Sequence, residues 1–168
     1  MIHEFSLRQL SPNDGIEIYK MLQRIGPSEN AFNNEVNGMT YDNFQQWLIE
    51  RDNWSKGEGL PKGYVKQWIF WLIVDKQPVG FGKLREKVTI ESRKFGGNIG
   101  YAIDPLYRGN GYGKVLFGLL LEQASNMKIH EVYSTIEKPN HISKIIHDSY
   151  GGKTVMEDDK RWYYLFRI

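Results

Sequence analysis

The sequence contains no cysteine among its 168 residues. This absence excludes disulfide scaffolds, cysteine-ligated zinc sites and cysteine nucleophiles together. The four histidines also show no metal-binding spacing; they are His3, His130, His141 and His147. We therefore predict no metal site, and any covalent catalysis would need a nucleophile other than a thiol.

Long apolar runs are also scarce. The longest stretch, from Trp68 to Val74, is far too short to cross a bilayer as a helix. The amino terminus lacks the basic flank and the continuous apolar stretch of a secretory signal. We predict a cytoplasmic protein with no membrane partner.

Neither sign of charge is in excess, because 22 Lys and Arg residues nearly balance 20 Asp and Glu residues. There is no long basic run, so the sequence predicts no nucleic-acid partner, while a small anionic ligand stays open. Apolar residues make up 40% of the chain and aromatic residues 14%. Together with the length, this composition predicts a single globular domain over residues 1–168 with an aromatic-rich core or pocket.

Apolar stretches bounded by turn residues predict strands along most of the chain. The predicted strands cover residues 2–10, 68–74, 79–84, 98–103, 132–137, 154–156 and 162–167. Apolar residues at helical spacing predict four helices. One ends near residue 25, and the others cover residues 41–51, 111–127 and 140–149.

A glycine-rich loop links the strand at 98–103 to the most regular predicted helix. Residues 108–114 read Arg-Gly-Asn-Gly-Tyr-Gly-Lys. The first turn of a helix presents unpaired N–H groups and the positive end of its dipole, so such a loop can hold a diphosphate. Glycines allow close approach of the ligand, and Arg108 adds a charged hydrogen bond. In isolation, the same loop also fits a plain tight turn.

Two common phosphate-binding motifs do not fit this loop. A P-loop requires Gly five positions before Gly113 and Ser or Thr after Lys114, where the chain has Arg108 and Val115. A dinucleotide fingerprint that starts at Gly109 requires a third glycine at the position of Lys114. The remaining pattern, Arg-x-x-Gly-x-Gly, resembles the acetyl-CoA signature of the GNAT superfamily of N-acetyltransferases.

The resemblance extends from about Trp68 to Tyr150. It includes the strands before the loop, the long helix after it and the Asn-His-Ile-Ser stretch at 140–143. Residues 96–101 are also similar to a bacterial branch of predicted acetyltransferases. The resemblance implies an α/β fold with a mixed, centrally splayed sheet of six or seven strands flanked by helices.

The same resemblance implies acetyl-CoA as cosubstrate and indicates which residues bind it. Backbone groups beside the pantetheine and the diphosphate are expected, together with an asparagine and a serine at the start of the following helix. The implied binding residues are Ala102, Ile103, Arg108, Gly109, Asn110, Gly111, Tyr112, Gly113, Lys114, Asn140 and Ser143.

The residues that would transfer protons depart from the family pattern. Many relatives have a glutamate base where residues 97–98 are Gly-Asn, and a tyrosine acid where this chain has His147. Tyr150 follows about one turn later on nearly the same helical face. We therefore keep Tyr150 and His147 as alternative acids for the leaving thiolate. Glu137, Glu91 or a tyrosine hydroxyl, acting through an ordered water, is a candidate base.

The implied function is transfer of an acetyl group from acetyl-CoA to a primary amine by direct attack, in a monomer or a homodimer. The amine belongs to a small molecule or a peptide. The alternative is a non-catalytic acyl-CoA-binding or sensing domain whose acid and base have been lost.

Residues 28–63 are polar and too poor in apolar residues to build a core of their own, so we interpret them as a mobile cover. Long polar segments on a rigid scaffold often carry binding residues. We therefore expect this segment, with Trp47 and Trp54, and the charged loop at 86–94 to line the side where the acceptor binds.

Overall fold

The protein combines short helices with two antiparallel sheets in a computed structural model that describes residues 2–94 and 96–168. The described strands are β1 (Phe5–Gln9), β2 (Ser28–Glu29), β3 (Phe32–Asn33), β4 (Gln67–Val74), β5 (Gln77–Arg85), β6 (Ile99–Ile103), β7 (Glu131–Glu137), β8 (Lys153–Glu157) and β9 (Arg161–Arg167). The described helices are α1 (Ile16–Ile25), α2 (Tyr41–Lys56), α3 (Ile90–Lys94), α4 (Tyr112–Asn126) and α5 (His141–Ser149), with a 3₁₀ turn at Pro105–Tyr107. None of these helices is both long and apolar enough to cross a membrane.

The two sheets have the strand orders β1-β4-β5-β6 and β7-β9-β8, and β2 and β3 form a separate small hairpin. Helix α4 carries the chain from β6 to β7. Within the described residues a single bridge links them, from Gly97, just before β6, to Ser134 of β7, and the two strands diverge beyond it. The predicted α/β fold with a centrally splayed sheet and flanking helices is confirmed.

The predicted mixed character of the sheet is corrected by the strand pairing. All the described ladders within the two sheets are antiparallel. A parallel ladder would have to join β6 to β7, the strands that the α4 crossover brings together. These strands separate instead of pairing, so no parallel ladder forms between them in the described part of the chain.

Apolar side chains cover both faces of the first sheet. One buried cluster contains Leu72 together with Leu116 and Leu120 of α4. The other contains Trp71 together with Phe44 of α2. The sheet is therefore a middle layer, which is why β4 is almost continuously apolar instead of alternating.

Helix α2 confirms the helix predicted at residues 41–51 and joins this part of the predicted cover to the core. Thr40 caps the helix by accepting a hydrogen bond from the backbone N–H of Asn43. Phe44, Trp47 and Leu48 are buried against the second cluster. A segment with too few apolar residues for its own core can still contribute one face to a shared core.

A short seam joins the two sheets at the start of β6. The backbone N–H of Asn98 donates to Tyr133 O over 2.8 Å, and its side-chain oxygen accepts from Tyr133 N over 2.9 Å. The Asn98 amide also donates to Arg85 O over 3.1 Å. Gly97 approaches so closely that a Cβ there would lie 2.2 Å from Tyr133 O, and its φ is +72°. Residues 97–98, where many relatives have a glutamate, thus connect β5, β6 and β7.

We expect Gly97→Ala to lower the free energy of unfolding by about 3 kcal/mol or more, because the new methyl group meets rigid backbone and the φ is unfavourable. The measurement is urea unfolding at equilibrium. Gly96→Ala is the matched control, since Gly96 also has a positive φ but a Cβ there meets no atom within 4 Å. Equal losses in the two variants would contradict the steric role of the seam.

Candidate active site

A cavity of about 1020 Å³ opens where β6 and β7 separate. Its walls come from the β2–β3 hairpin, β5, β6, the glycine loop and α5. Most residues predicted from the sequence line it; these are Ala102, Ile103, Arg108, Gly109, Gly111, Tyr112, Gly113, Lys114, Glu137, Asn140, Ser143 and His147. Asn110 and Tyr150 lie outside its lining.

The glycine loop offers a row of free backbone donors to this cavity. The N–H groups of residues 109–113 donate to no acceptor in the described part of the chain. Gly109 and Gly111 have φ values of +82° and +78°, which explains why glycines occupy these positions. Asn110 stabilises the turn by donating its side-chain amide to Tyr107 O over 3.0 Å. Five free donors at the start of the 15-residue helix α4 can bind an anion.

An ion pair between a buried aspartate and an exposed arginine, which we did not predict, supports the loop. Asp104 is fully buried, and its carboxylate lies 2.6 Å from the Arg24 guanidinium of α1. The same carboxylate caps the 3₁₀ turn by accepting from Leu106 N. An Asp-Pro pair after a strand indicates a turn. The sequence carries no signal that Arg24, 80 residues earlier, is the partner.

Arg108, the predicted diphosphate contact, is held at the rim of the cavity. Its Nε donates to Ile103 O over 3.1 Å. Its two terminal nitrogens donate to both carboxylate oxygens of Glu29 in the β2–β3 hairpin, over 3.1 and 2.5 Å. Both side chains are about two-fifths exposed, so the pair contributes little to stability. Glu29 therefore competes with any anion for this guanidinium.

The start of α5 places two predicted residues beside β6. Asn140 caps the helix, because its side-chain oxygen accepts from Ser143 N over 3.2 Å. The Ser143 hydroxyl lies 2.9 Å from the hydroxyl of Tyr101 on β6. Burial raises the pKa of Tyr101 to about 12, so this hydroxyl stays protonated at neutral pH. Tyr101 lines the cavity and was not predicted as a site residue.

His147 is almost fully buried and has two short hydrogen bonds. Its Nδ1 lies 2.8 Å from Ser143 O, and because a carbonyl can only accept, Nδ1 carries the proton. Its Nε2 therefore accepts from the Ser134 hydroxyl over 2.7 Å. Burial lowers the pKa of His147 to about 4, so the ring is neutral at physiological pH. A neutral ring with both nitrogens engaged is a poor acid for a leaving thiolate.

The other candidates for proton transfer occupy different places. The Tyr150 hydroxyl donates to Lys114 O over 2.9 Å and thus ties α5 to α4. Glu91 is exposed and does not line the cavity, whereas Glu137 lines it and lies 3.8 Å from Arg161. No group of three described His, Asp or Glu side chains is arranged to hold a metal ion.

Two cations on β5 line the cavity and were missed from the sequence. Lys83 is buried, its ammonium donates to Asn33 O over 2.6 Å, and it lies 4.8 and 4.9 Å from the ring centres of Phe32 and Phe81. Burial lowers the pKa of Lys83 to about 7. Arg85, partly buried, donates to Gly97 O over 2.9 Å. A lysine inside the apolar stretch at 79–84 is the sequence signal that was available.

One part of the polar segment at 28–63 lines the cavity. The β2–β3 hairpin lines the cavity, but Trp47 and Trp54 do not. Both indoles instead pack against the guanidinium of Arg51, at 5.6 and 3.6 Å from their ring centres. Residues 86–93, which include most of α3, also lie outside the cavity lining. Helical spacing turns these tryptophans towards the core, whereas the hairpin extends over the cavity.

Stability should fall as the pH decreases from 6.5 to 4, because His147 is protonated in the unfolded chain near pH 6.5 but in the folded protein only near pH 4. Between pH 6.5 and pH 4 the unfolded state binds more protons than the folded state. The free energy of unfolding therefore falls by on the order of 3 kcal/mol as the pH decreases through this window. Urea unfolding at several pH values measures the slope. His147→Gln should flatten it, and His141→Gln, an exposed histidine on the same helix, should retain it. An unchanged slope in His147→Gln would refute this assignment.

A family model described as "Acetyltransferase (GNAT) family" matches residues 30–151 of the chain. No curated protein sequence matches it significantly. Solved structures of acetyltransferases share its fold at low identity. The ribosomal-protein-S5-alanine acetyltransferase from Vibrio fischeri is 15% identical with a TM-score of 0.73, and the match covers 97% of this chain and 92% of that one.

Two further structures match over nearly the whole of both chains. The N-acetyltransferase PseH from Campylobacter jejuni, in complex with acetyl coenzyme A, is 12% identical with a TM-score of 0.65, covering 98% of this chain and 99% of that one. An N-acetyltransferase from Staphylococcus aureus is 15% identical with a TM-score of 0.65, covering 98% of each chain.

Proposed function

Because the chain belongs to the GNAT family of acetyl-CoA-dependent acyltransferases, we propose that it transfers the acetyl group of acetyl-CoA to a primary amine of a small molecule or a peptide. The observation that carries this proposal is the row of free N–H donors at 109–113, which opens into the cavity between the splayed strands. The amine attacks the thioester directly; with no cysteine in the chain, a thioester acyl-enzyme cannot form.

The cavity fits the two halves of acetyl-CoA. Diphosphate oxygens match the donors of the loop and the start of α4, with Arg108 and Lys114 as cationic neighbours. The pantetheine amides match the outer edge of β6, which pairs with β5 on one side and with no ladder on the other in the described structure. Ala102 and Ile103 lie on that edge, and an unpaired strand edge offers N–H and C=O groups to an extended ligand.

Acetyl transfer forms a carbon–nitrogen bond, breaks the carbon–sulfur bond and moves a proton from the amine to solvent or a base. Glu137 is the carboxylate among the predicted candidates that lines the cavity, so we assign it the base role through a water. The thiolate leaves beside the hydroxyls of Tyr101 and Ser143. Neutral His147 holds this turn of α5 in place by donating to the backbone carbonyl of Ser143. Positioning of two substrates supplies about 7 to 11 kcal/mol, so modest acid–base assistance suffices.

The direct test is amine-dependent release of the CoA thiol from acetyl-CoA across a panel of amines. Release that depends on an amine, with the acetylated amine detected by mass spectrometry, supports the proposal. Tight acetyl-CoA binding without release for any amine would favour the non-catalytic acyl-CoA-binding alternative.

Replacing Gly113 tests the cofactor cavity without disturbing the fold. A Cβ at Gly113 would lie no closer than 3.6 Å to its neighbours Ile146, Tyr101 and Ile103, so the helix accepts a side chain there. We expect Gly113→Leu to keep or raise the melting temperature, because leucine favours helix, yet to weaken acetyl-CoA binding by about 100-fold or more by filling the cavity. Calorimetry measures the affinity, and Ser125→Leu on the exposed end of α4 is the control. Unchanged affinity in Gly113→Leu would exclude the cavity as the cofactor site.

The Glu29–Arg108 pair predicts an unusual gain of affinity. Glu29→Gln removes the carboxylate that competes for the guanidinium, so acetyl-CoA should bind about 2- to 10-fold more tightly. In an Arg108→Ala background the same substitution should have no effect. The wild type, Glu29→Gln, Arg108→Ala and the double variant form a double-mutant cycle, and calorimetry measures the dissociation constant of acetyl-CoA for each of them. A gain that persists without Arg108 would show that Glu29 acts by general repulsion instead.

A further inference from the structure

We propose that Lys83 and Arg85 form an anion site in the acceptor half of the cavity, which binds a carboxylate or phosphate group carried by the acceptor amine. This inference rests on the proposed acetyl transfer and narrows its substrate class. The two side chains are separated by one residue on β5, so they lie on the same face at roughly 7 Å along the strand. Both line the cavity.

The two cations lack a carboxylate partner within 4.0 Å among the described residues. Lys83 and Arg85 each donate to one backbone carbonyl instead. The carboxylate that acts electrostatically on Lys83, Glu35, is itself paired with Arg51 over 2.6 Å. A buried ammonium without a counter-ion is costly, and a leucine or methionine at this position would avoid that cost.

The aromatic contacts of Lys83 do not explain the arrangement. Cation–π contacts with Phe32 and Phe81 stabilise the ammonium of Lys83, but neither contact involves Arg85. Arg85 adds a second positive charge that lowers the pKa of Lys83, as does Arg51, while Glu35 raises it. A bound anion in the cavity would stabilise the neighbouring positive charges of Lys83 and Arg85.

This site is separate from the diphosphate loop. Lys83 pairs with Gly100 on β6, and Arg85 N donates to Asn98 O. Ile103, at the end of β6, is three residues beyond Gly100 and five beyond Asn98, or roughly 10 to 17 Å along the chain. The glycine loop begins further on still. An anion at Lys83 and Arg85 would therefore belong to a different part of the bound substrates than the CoA diphosphate.

Sulfate binding tests the site without requiring turnover. The melting temperature is measured with saturating CoA and increasing sulfate, and chloride keeps the ionic strength constant. Sulfate should raise the melting temperature of the wild type more than that of the double variant Lys83→Met/Arg85→Gln. Lys62→Met, an exposed lysine outside the cavity, is the control for lost charge and should behave as the wild type does. The general stabilising effect of sulfate is common to all three proteins. Equal shifts in all three would overturn the proposal.

Matched amines test the role in catalysis. Each pair differs by one anionic group: O-phosphoethanolamine and ethanolamine, glucosamine 6-phosphate and glucosamine, glycine and glycinamide. The ratio of kcat/KM for the anionic over the neutral amine should fall about tenfold in Lys83→Met and in Arg85→Gln, and stay unchanged in Lys62→Met. The intrinsic reactivity of each amine cancels in this comparison.

Three other outcomes separate the possible errors. A loss of kcat in Lys83→Met that is equal for both members of each pair would make Lys83 a general base and overturn the anion site. A preference for succinyl-CoA over acetyl-CoA that depends on Lys83 would assign the anion to the acyl donor and would also overturn it. Sulfate binding at these residues in a protein that acetylates no amine would support the anion site while refuting acetyl transfer.

Discussion

The backbone of residues 97–98 reaches across to Tyr133, and this short contact joins two sheets at one end while their other ends stay apart. Because β6 pairs with β5 on one side only, its outer edge remains available along the gap. The cavity, the strand edge and the start of α4 all meet at this gap. The glycine that permits the contact therefore determines where a ligand can enter the sheet.

Most groups that we assign to acetyl-CoA binding belong to the backbone. A helix amino terminus and an open strand edge supply oriented N–H and C=O groups that need no particular side chain. A nearly neutral composition is therefore compatible with an anionic cosubstrate. The side chains around the loop act mainly as supports, as Asp104 does when it caps the 3₁₀ turn and pairs with Arg24.

Burial destabilises the charged forms of both His147 and Lys83, but the surroundings of the two side chains differ. Both have a lowered pKa because their charged forms lose hydration. His147 resolves this by staying neutral, with a hydroxyl and a carbonyl as partners. Lys83, next to Arg85 and facing the cavity, lacks a comparable neutral network, and a bound anion would keep its charge favourable.

The sequence by itself determined the elements whose signals are local. The glycine loop, the helix after it, the Asn140 cap and most strands follow from turn chemistry and periodicity over a few residues. The family was indicated by the resemblance of the Arg-x-x-Gly-x-Gly loop and its flanking elements to the GNAT signature. The tertiary structure alone decided that His147 is buried and neutral, that Tyr150 contacts Lys114, and that Glu29 pairs with Arg108. It also brought the β2–β3 hairpin over the cavity beside Lys83. These features depend on contacts between residues far apart in the chain, and burial of a polar group cannot be read from its neighbours in sequence.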